Sequence, residues 1–209
     1  SAKDYKRQED GDRGPNTGGM GAISPAPSID TAIEAEVLSR IVYPTLKGLA
    51  QEGIPYRGIL YVGLMLTPKG PFVLEFNARL GDPEAQAVLP RLKTDLIDLI
   101  EATLAHRLDQ LKLEWSDKTS VCVVLAAEGY PGAYNKGEII SGLDQIQDPA
   151  VMVFHAGTER TGKDFVTSGG RVLGLTALGA DREEARNAAY RAIECVSFRG
   201  MQYRKEIGQ

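Results

Sequence analysis

The sequence predicts an α+β protein: an antiparallel sheet-and-helix module, followed by a small, mostly antiparallel β domain with a closing helix. Three observations predict this class. Apolar runs of strand length recur between Gly and Pro turns, two of them joined as a hairpin through Pro68-Lys69-Gly70. Apolar positions at helical spacing follow good N-terminal caps at Asp30, Thr94 and Asp181. Composition shifts after Leu108 from a mixed pattern to one dominated by strands. The 209 residues suffice for one large domain or two small ones. The expected division is 1–109 and 110–209.

Residues 1–28 read as loop, rich in Gly and Pro. From Asp30 the positions Ile33, Val37, Ile41 and Val42 share a helix face, with a kink or break at Pro44 and an end before Gly53. Strands are expected at about Tyr56–Thr67 and Phe72–Asn77. A helical stretch then runs from Pro83 to Pro90, and Thr94 caps a helix whose core face is Leu96, Ile97, Ile100 and Leu104. In the second half Val121–Ala127 is a continuous apolar strand, with further strands at Glu138–Ile140, Val151–Ala156 and Arg171–Ala177. Asp181 and Glu184 have capping-box spacing before a helix with Ala185, Ala188, Ala189, Ala192 and Ile193 on one side.

Composition narrows the function. A 43% hydrophobic content supplies a core, and 25% charged residues is ordinary for a soluble chain. The net charge of −4 lacks the basic footprint of a nucleic-acid binder. Cys122 and Cys195 lie far apart in apolar or helical runs and read as buried free thiols. Two histidines and no CxxC disfavour zinc, and His155, inside an apolar strand, reads as a packed residue. No membrane-length apolar run or signal segment is present, so a cytoplasmic protein without membrane contact is expected. The chain opens at Ser1 without an initiator methionine and enters a glycine-rich loop almost at once, which raises the expectation of polypeptide upstream.

The stretch Glu75-Phe76-Asn77-Ala78-Arg79-Leu80-Gly81-Asp82-Pro83-Glu84 carries the most chemistry. Strand alternation puts Phe72, Leu74 and Phe76 on one face and Glu75, Asn77 and Arg79 on the other. A carboxylate, an amide oxygen and a guanidinium in a row suit a magnesium-bound polyphosphate, with Arg79 stabilising transferred phosphoryl charge. Alternation alone favours a water-facing edge strand. Two further acids after the Gly81 bend tip the balance towards a site. The second feature is Gly11, Gly14, Gly18, Gly19 and Gly21 within eleven residues, with Asn16 and Thr17 among them. Glycine lets backbone amides close on an anion, yet this loop is neither a Walker loop nor GxGxxG. By itself such a loop is commonly a connector; beside Glu75–Arg79 it reads as a loop that closes on substrate.

Together, Gly14-Pro15-Asn16-Thr17-Gly18-Gly19-Met20-Gly21-Ala22 and Glu75–Glu84 resemble glycinamide ribonucleotide synthetase, or phosphoribosylamine–glycine ligase, of the ATP-grasp class. Gly129-Tyr130-Pro131-Gly132, Val153-Phe154-His155-Ala156-Gly157-Thr158 and Gly169-Gly170-Arg171-Val172-Leu173 extend the resemblance along the whole chain. It implies ATP-dependent joining of glycine to 5-phosphoribosylamine through a glycyl phosphate, in purine biosynthesis. It implies that Glu75 and Asn77 hold magnesium or manganese on the ATP phosphates and that Arg79 is catalytic. Asn16, Thr17, Gly18, Gly19 and Asp82 are then substrate contacts, with Asp4, Lys6 and Arg7 weaker members of that group. The family also has an N-terminal domain and a first ATP-grasp half carrying most adenine contacts. This chain matches the second ATP-grasp half and the C-terminal domain, so the missing N-terminal half is an expected partner and activity is expected only with it. ATP-grasp sites often take another metal ligand from the preceding strand, yet Ile59–Leu66 has no acid. The rival expectations are a different ATP-grasp ligase and a non-catalytic docking fragment.

Overall fold

Strands and helices alternate irregularly through the computed structural model, which describes residues 1–209. In the first half they are β1 (Lys3–Asp4), β2 (Arg7–Glu9), β3 (Arg13–Asn16), β4 (Gly21–Ser24), α1 (Thr31–Val37), α2 (Tyr43–Gln51), β5 (Tyr61–Thr67), β6 (Gly70–Asn77), α3 (Glu84–Val88) and α4 (Leu96–Leu104). The second half holds β7 (Thr119–Ala126), β8 (Ile139–Ile140), β9 (Val151–His155), β10 (Thr158–Thr161), β11 (Asp164–Thr167), β12 (Arg171–Gly179) and α5 (Arg182–Cys195). They form two units that interleave along the chain. One comprises Ser1–Ala26, Asp82–Arg91 and Ser116–Gln209; the other comprises Pro27–Gly81 and Leu92–Trp115. No helix is long and apolar enough to cross a membrane.

The first unit is built on an antiparallel sheet in the order β1-β4-β7-β12-β9. β7 is a run of Val, Leu, Cys and Ala because both its faces are covered. Val121, Val123 and Leu125 pair with Ala177, Leu175 and Leu173 of β12 and belong to the main core with Ala185, Ala188, Ala189, Ala192 and Ile193 of α5. Cys122 joins Ala22 and Ala87 of α3 in a smaller cluster. All five α5 positions expected on the inner side are buried, and Asp181 caps the helix by accepting the Glu184 N–H at 2.8 Å.

The glycine-rich segment is not loop throughout. β4 is wholly buried and pairs with β7, while β2 and β3 form a hairpin. The Gly-Ala-Ile-Ser sequence of β4 hides a strand because its first residue must be small. A β-carbon at Gly21 would lie 2.6 Å from the Cys122 carbonyl oxygen. Late in the chain, Arg204, with its side chain 1% exposed, donates to the Arg7 carbonyl and pairs with Asp12 and Glu206. Glu206 in turn accepts the Gly11 N–H, which with Arg204 holds its carboxyl below the ordinary range. The carboxyl-terminal residues therefore brace the β2–β3 hairpin.

The second unit contains α1, α2, α4 and the β5–β6 hairpin. Asp30 accepts the Ile33 N–H at 2.8 Å, and a π-helical turn at Leu38–Val42 separates α1 from α2. Pro44 follows directly on that turn in a backbone that stays helical from α1 into α2, so the π turn sits where the proline ring and its missing N–H would interrupt an α-helical ladder. The strand expected from Tyr56 begins at Tyr61. The cap of α4 is Asp95 and not Thr94: Asp95 accepts the Ile97 N–H at 2.7 Å, while Thr94 accepts the Glu114 N–H. The expected core face of α4 is corrected as well. Leu96, Ile97, Ile100 and Leu104 are all exposed, Ile97 and Leu104 by about two thirds.

Two smaller readings also change. His155 is exposed at the end of β9, where Nδ1 meets Thr158 Oγ1 at 2.9 Å and the ring lies against Phe165. Both cysteines are free, but only Cys122 is buried, and burial pushes its thiol up to about 12. Cys195, near the end of α5, is partly exposed.

Candidate functional site

The Glu75 strand belongs to the hairpin unit. β6 pairs with β5 in the register Tyr61↔Asn77, Val62↔Phe76 and Gly63↔Glu75, then shifts so that Leu64 meets Val73. Leu74 is left as a bulge residue. The extra residue reverses the alternation below it. Phe72 stands on the side of Glu75 and Asn77, whereas Val73 stands with Phe76, which corrects the simple even–odd division. Arg79 lies past the strand end, exposed, with Nη1 donating to the Leu80 carbonyl at 3.0 Å. Its position is therefore set by the bend after Asn77 and not by the pleat.

Glu75 is exposed and Asn77 half-buried on their shared face. Opposite Glu75 stands Gly63, where a β-carbon would lie 2.9 Å from Glu75 Cγ. The absent side chain keeps space around the carboxylate. No group of three or more His, Cys, Asp or Glu side chains is placed to hold a metal ion. One carboxylate and one amide oxygen fit a hard divalent cation whose remaining ligands are water and phosphate oxygens.

The other sequence-predicted residues lie in the sheet unit, and the structure assembles them closely. The 4–7 segment zips along 16–22: Asp4 pairs with Ala22, the Lys6 carbonyl accepts the Thr17 N–H at 2.8 Å, and Arg7 pairs with Asn16. Thr17 Oγ1 donates to the Lys6 carbonyl at 2.8 Å and accepts the Gly19 N–H at 2.9 Å. The Gly18 N–H donates to the Tyr130 hydroxyl at 2.8 Å. The amides of Gly18 and Gly19 thus have partners within the fold. Gly19, at φ 120°, is also pressed on Pro83, where a β-carbon would come within 2.3 Å of Cδ. Asn16 is exposed, and Arg7 Nη1 donates to the Gly14 carbonyl at 2.8 Å.

Asp82 has both carboxylate oxygens engaged. Oδ2 meets Arg171 Nη2 at 3.0 Å, and Oδ1 accepts from Gln86 Nε2 at 3.0 Å. Asp4 is nearly enclosed: its Oδ1 is buried with no hydrogen-bond partner, while Oδ2 lies 2.5 Å from Lys6 Nζ. Burial pushes its carboxyl up to about 6, and nearby Glu84, itself buried, adds to the rise against the pull of Lys6. Sequence reasoning counted Glu84 among the acids of the 75–84 stretch without giving it a role, and it did not single out Tyr130 or Arg171 as site residues. Tyr130 and Arg171 sit in the short glycine motifs 129–132 and 169–173, which marked them without giving them a role.

Residues 1–85 match the family model described as phosphoribosylglycinamide synthetase, ATP-grasp (A) domain. Residues 120–209 match the C domain of the same synthetase. A phosphoribosylamine–glycine ligase of Caldanaerobacter subterraneus subsp. tengcongensis is 55% identical over 99% of this chain, and one of Vibrio parahaemolyticus is 48% identical over all of it. The chain covers 49% of each. The crystal structure of the Thermotoga maritima phosphoribosylamine–glycine ligase superposes with a TM-score of 0.84 at 38% identity, over 99% of this chain and 50% of that one. The chain belongs to the phosphoribosylglycinamide synthetase family, within the ATP-grasp fold class. It spans about half the length of the curated relatives it matches.

Proposed function

We propose that this chain supplies the second ATP-grasp half and the C-terminal domain of a phosphoribosylamine–glycine ligase, divided near residues 109 and 110 in chain order. The observation that carries the reading is Glu75 and Asn77 side by side on β6, opposite the open position at Gly63, in a chain of this family. A carboxylate oxygen of glycine forms a bond to the γ-phosphorus of ATP as the bond to ADP breaks. The nitrogen of 5-phosphoribosylamine then bonds to the carbonyl carbon of the glycyl phosphate, inorganic phosphate leaves, and the nitrogen loses a proton. Glu75 and Asn77 would hold magnesium or manganese, which when bound neutralises charge on the ATP phosphates. The Arg79 guanidinium stabilises charge on the transferred phosphoryl group. Asn16–Gly19, with Asp82, Asp4, Lys6 and Arg7, contact or shape the glycine and ribosylamine subsites. The fold leaves Asn16 free to touch ligand, whereas Thr17, Asp4 and Asp82 act from within their networks.

The partner is the remaining polypeptide of the synthetase. The exposed apolar residues of the second unit, among them Phe72, Phe76, Ile97 and Leu104, support this. A cytoplasmic setting accords with a reaction on phosphorylated metabolites. The test combines this chain with a polypeptide covering the other half of its relatives' length and measures glycine- and ribosylamine-dependent ADP release. Glu75→Gln is expected to lower turnover by about 100-fold or more while circular dichroism stays unchanged. Wild-type turnover in that variant would remove Glu75 from the site.

A further inference from the structure

We propose that Tyr130 and Arg171 are positioning residues for the glycine-rich loop, which they grip by the two polar ends of the Gly18 residue. The proposal rests on the reading of Asn16–Gly19 as a substrate segment and extends it to two residues outside that segment. The Gly18 N–H donates to the Tyr130 hydroxyl at 2.8 Å, and the Gly18 carbonyl accepts from Arg171 Nη1 at 3.0 Å. The same Nη1 donates to the Asp82 carbonyl at 2.8 Å, while Nη2 meets Asp82 Oδ2 at 3.0 Å. One guanidinium therefore ties the loop to the turn that begins α3. Charged donors on two backbone carbonyls and a carboxylate make a stronger fastening than neutral bonds would.

The glycines around this point are explained by the grip. A β-carbon at Gly18 would lie 3.1 Å from both Arg171 Cζ and the Tyr130 hydroxyl. Gly18 does not have a left-handed backbone, so its lack of a side chain serves the close approach. One residue before Arg171, a β-carbon at Gly170 would come within 2.3 Å of Tyr130 Cδ2. The tyrosine ring occupies the space that Gly170 leaves. Three motifs far apart in sequence, 14–22, 129–132 and 169–173, thus meet at one residue. Without these bonds the exposed stretch through Gly18 would regain the backbone freedom that a substrate would have to remove on binding.

The test has two arms. In this chain without ligand, amide hydrogen exchange is followed for Tyr130→Phe, Arg171→Lys and Gly18→Ala. Exchange at Gly18 and Gly19 is expected to accelerate about tenfold or more in Tyr130→Phe, while the β7 amides keep their protection and report an intact fold. Gly18→Ala, whose backbone accepts alanine, is expected to loosen the same amides by displacing Arg171. Arg171→Lys is expected to loosen them too, and unchanged loop exchange in all three folded variants overturns the grip. In the second arm, ligase kinetics are measured with the complementary polypeptide present. Tyr130→Phe and Arg171→Lys are expected to raise KM for glycine or the ribosylamine at least about fivefold, with kcat within about twofold. A fall in kcat at constant KM overturns the positioning role. Absence of ligase activity in the wild type sinks the functional reading, and the exchange arm then decides the grip alone.

Discussion

The hairpin unit of this chain is richer in apolar residues than the sheet unit, yet it is the sheet unit that buries them. In the sheet unit, Val121, Val123, Leu125, Leu173, Leu175 and Ile193 are buried under α5. In the hairpin unit Ala102 is the only hydrophobic residue in the buried core, while Met65, Phe72, Leu74, Phe76, Ile97, Ile100 and Leu104 are exposed. Burial follows the completeness of layers. The five-stranded sheet has a helix on each face, whereas the β5–β6 ribbon has two strands, and such a ribbon is marginal without further cover. Intrinsic propensity cannot create the difference, since α4 is the more apolar helix and α5 the better packed one.

Truncating side chains should separate the two units by the widest margin. Leu125→Ala and Ile193→Ala are each expected to cost about 2–5 kcal/mol in urea unfolding, because both side chains are enclosed. Ile97→Ala or Leu104→Ala in this chain is expected to cost less than about 0.5 kcal/mol. Equal costs would mean that the hairpin unit has a core of its own in solution. With the complementary polypeptide added, the α4 substitutions should instead weaken the complex, and titration calorimetry would read that loss.

A smaller effect comes from Asp4. Its carboxyl is pushed up to about 6 from 3.8, so the native state holds a proton that the unfolded state releases. The stability carried by the neutral form is complete below about pH 4 and is lost as the pH rises to 6, an effect of about 1–3 kcal/mol. Asp4→Asn should flatten that slope in denaturation curves taken between pH 4 and 7; an unaltered slope would show that Asp4 titrates normally. The smallest expected difference is at the helix caps. Asp181→Ala should lower overall stability by about 1 kcal/mol, whereas Asp95→Ala should fray α4 locally without shifting the sheet transition, as hydrogen exchange can separate.

The sequence was most legible where local and tertiary preferences agree. Asp181 with its alanine face, the β7 run and the Asp30 cap all appear where spacing put them. It was least legible where partners lie far away in the chain. β4 reads as loop because its glycine answers to Cys122, about a hundred residues on. The bulge at Leu74 leaves no mark in the alternation, and the cap read at Thr94 falls to Asp95 because the Thr94 hydroxyl accepts the Glu114 N–H. At the candidate site, residue types at strand spacing marked Glu75 and Asn77 as candidates, whereas Arg79, put on the same face by that spacing, lies past the strand end. Tyr130 and Arg171 were invisible as functional residues because their role lies in bonds to one glycine more than a hundred positions earlier.

The brace of Arg204 on the β2–β3 hairpin has a consequence for the order of assembly. Arg7, Gly11 and Asp12 are made nearly two hundred residues before the side chains that fasten them, and β4 must wait for β7. Contacts of such wide sequence separation close slowly and late. During synthesis the glycine-rich segment therefore emerges well before its brace and takes its final shape only after α5 and the residues beyond it have been added. A ribosome stalled before Arg204 would carry the sequence of the loop without its final fastening.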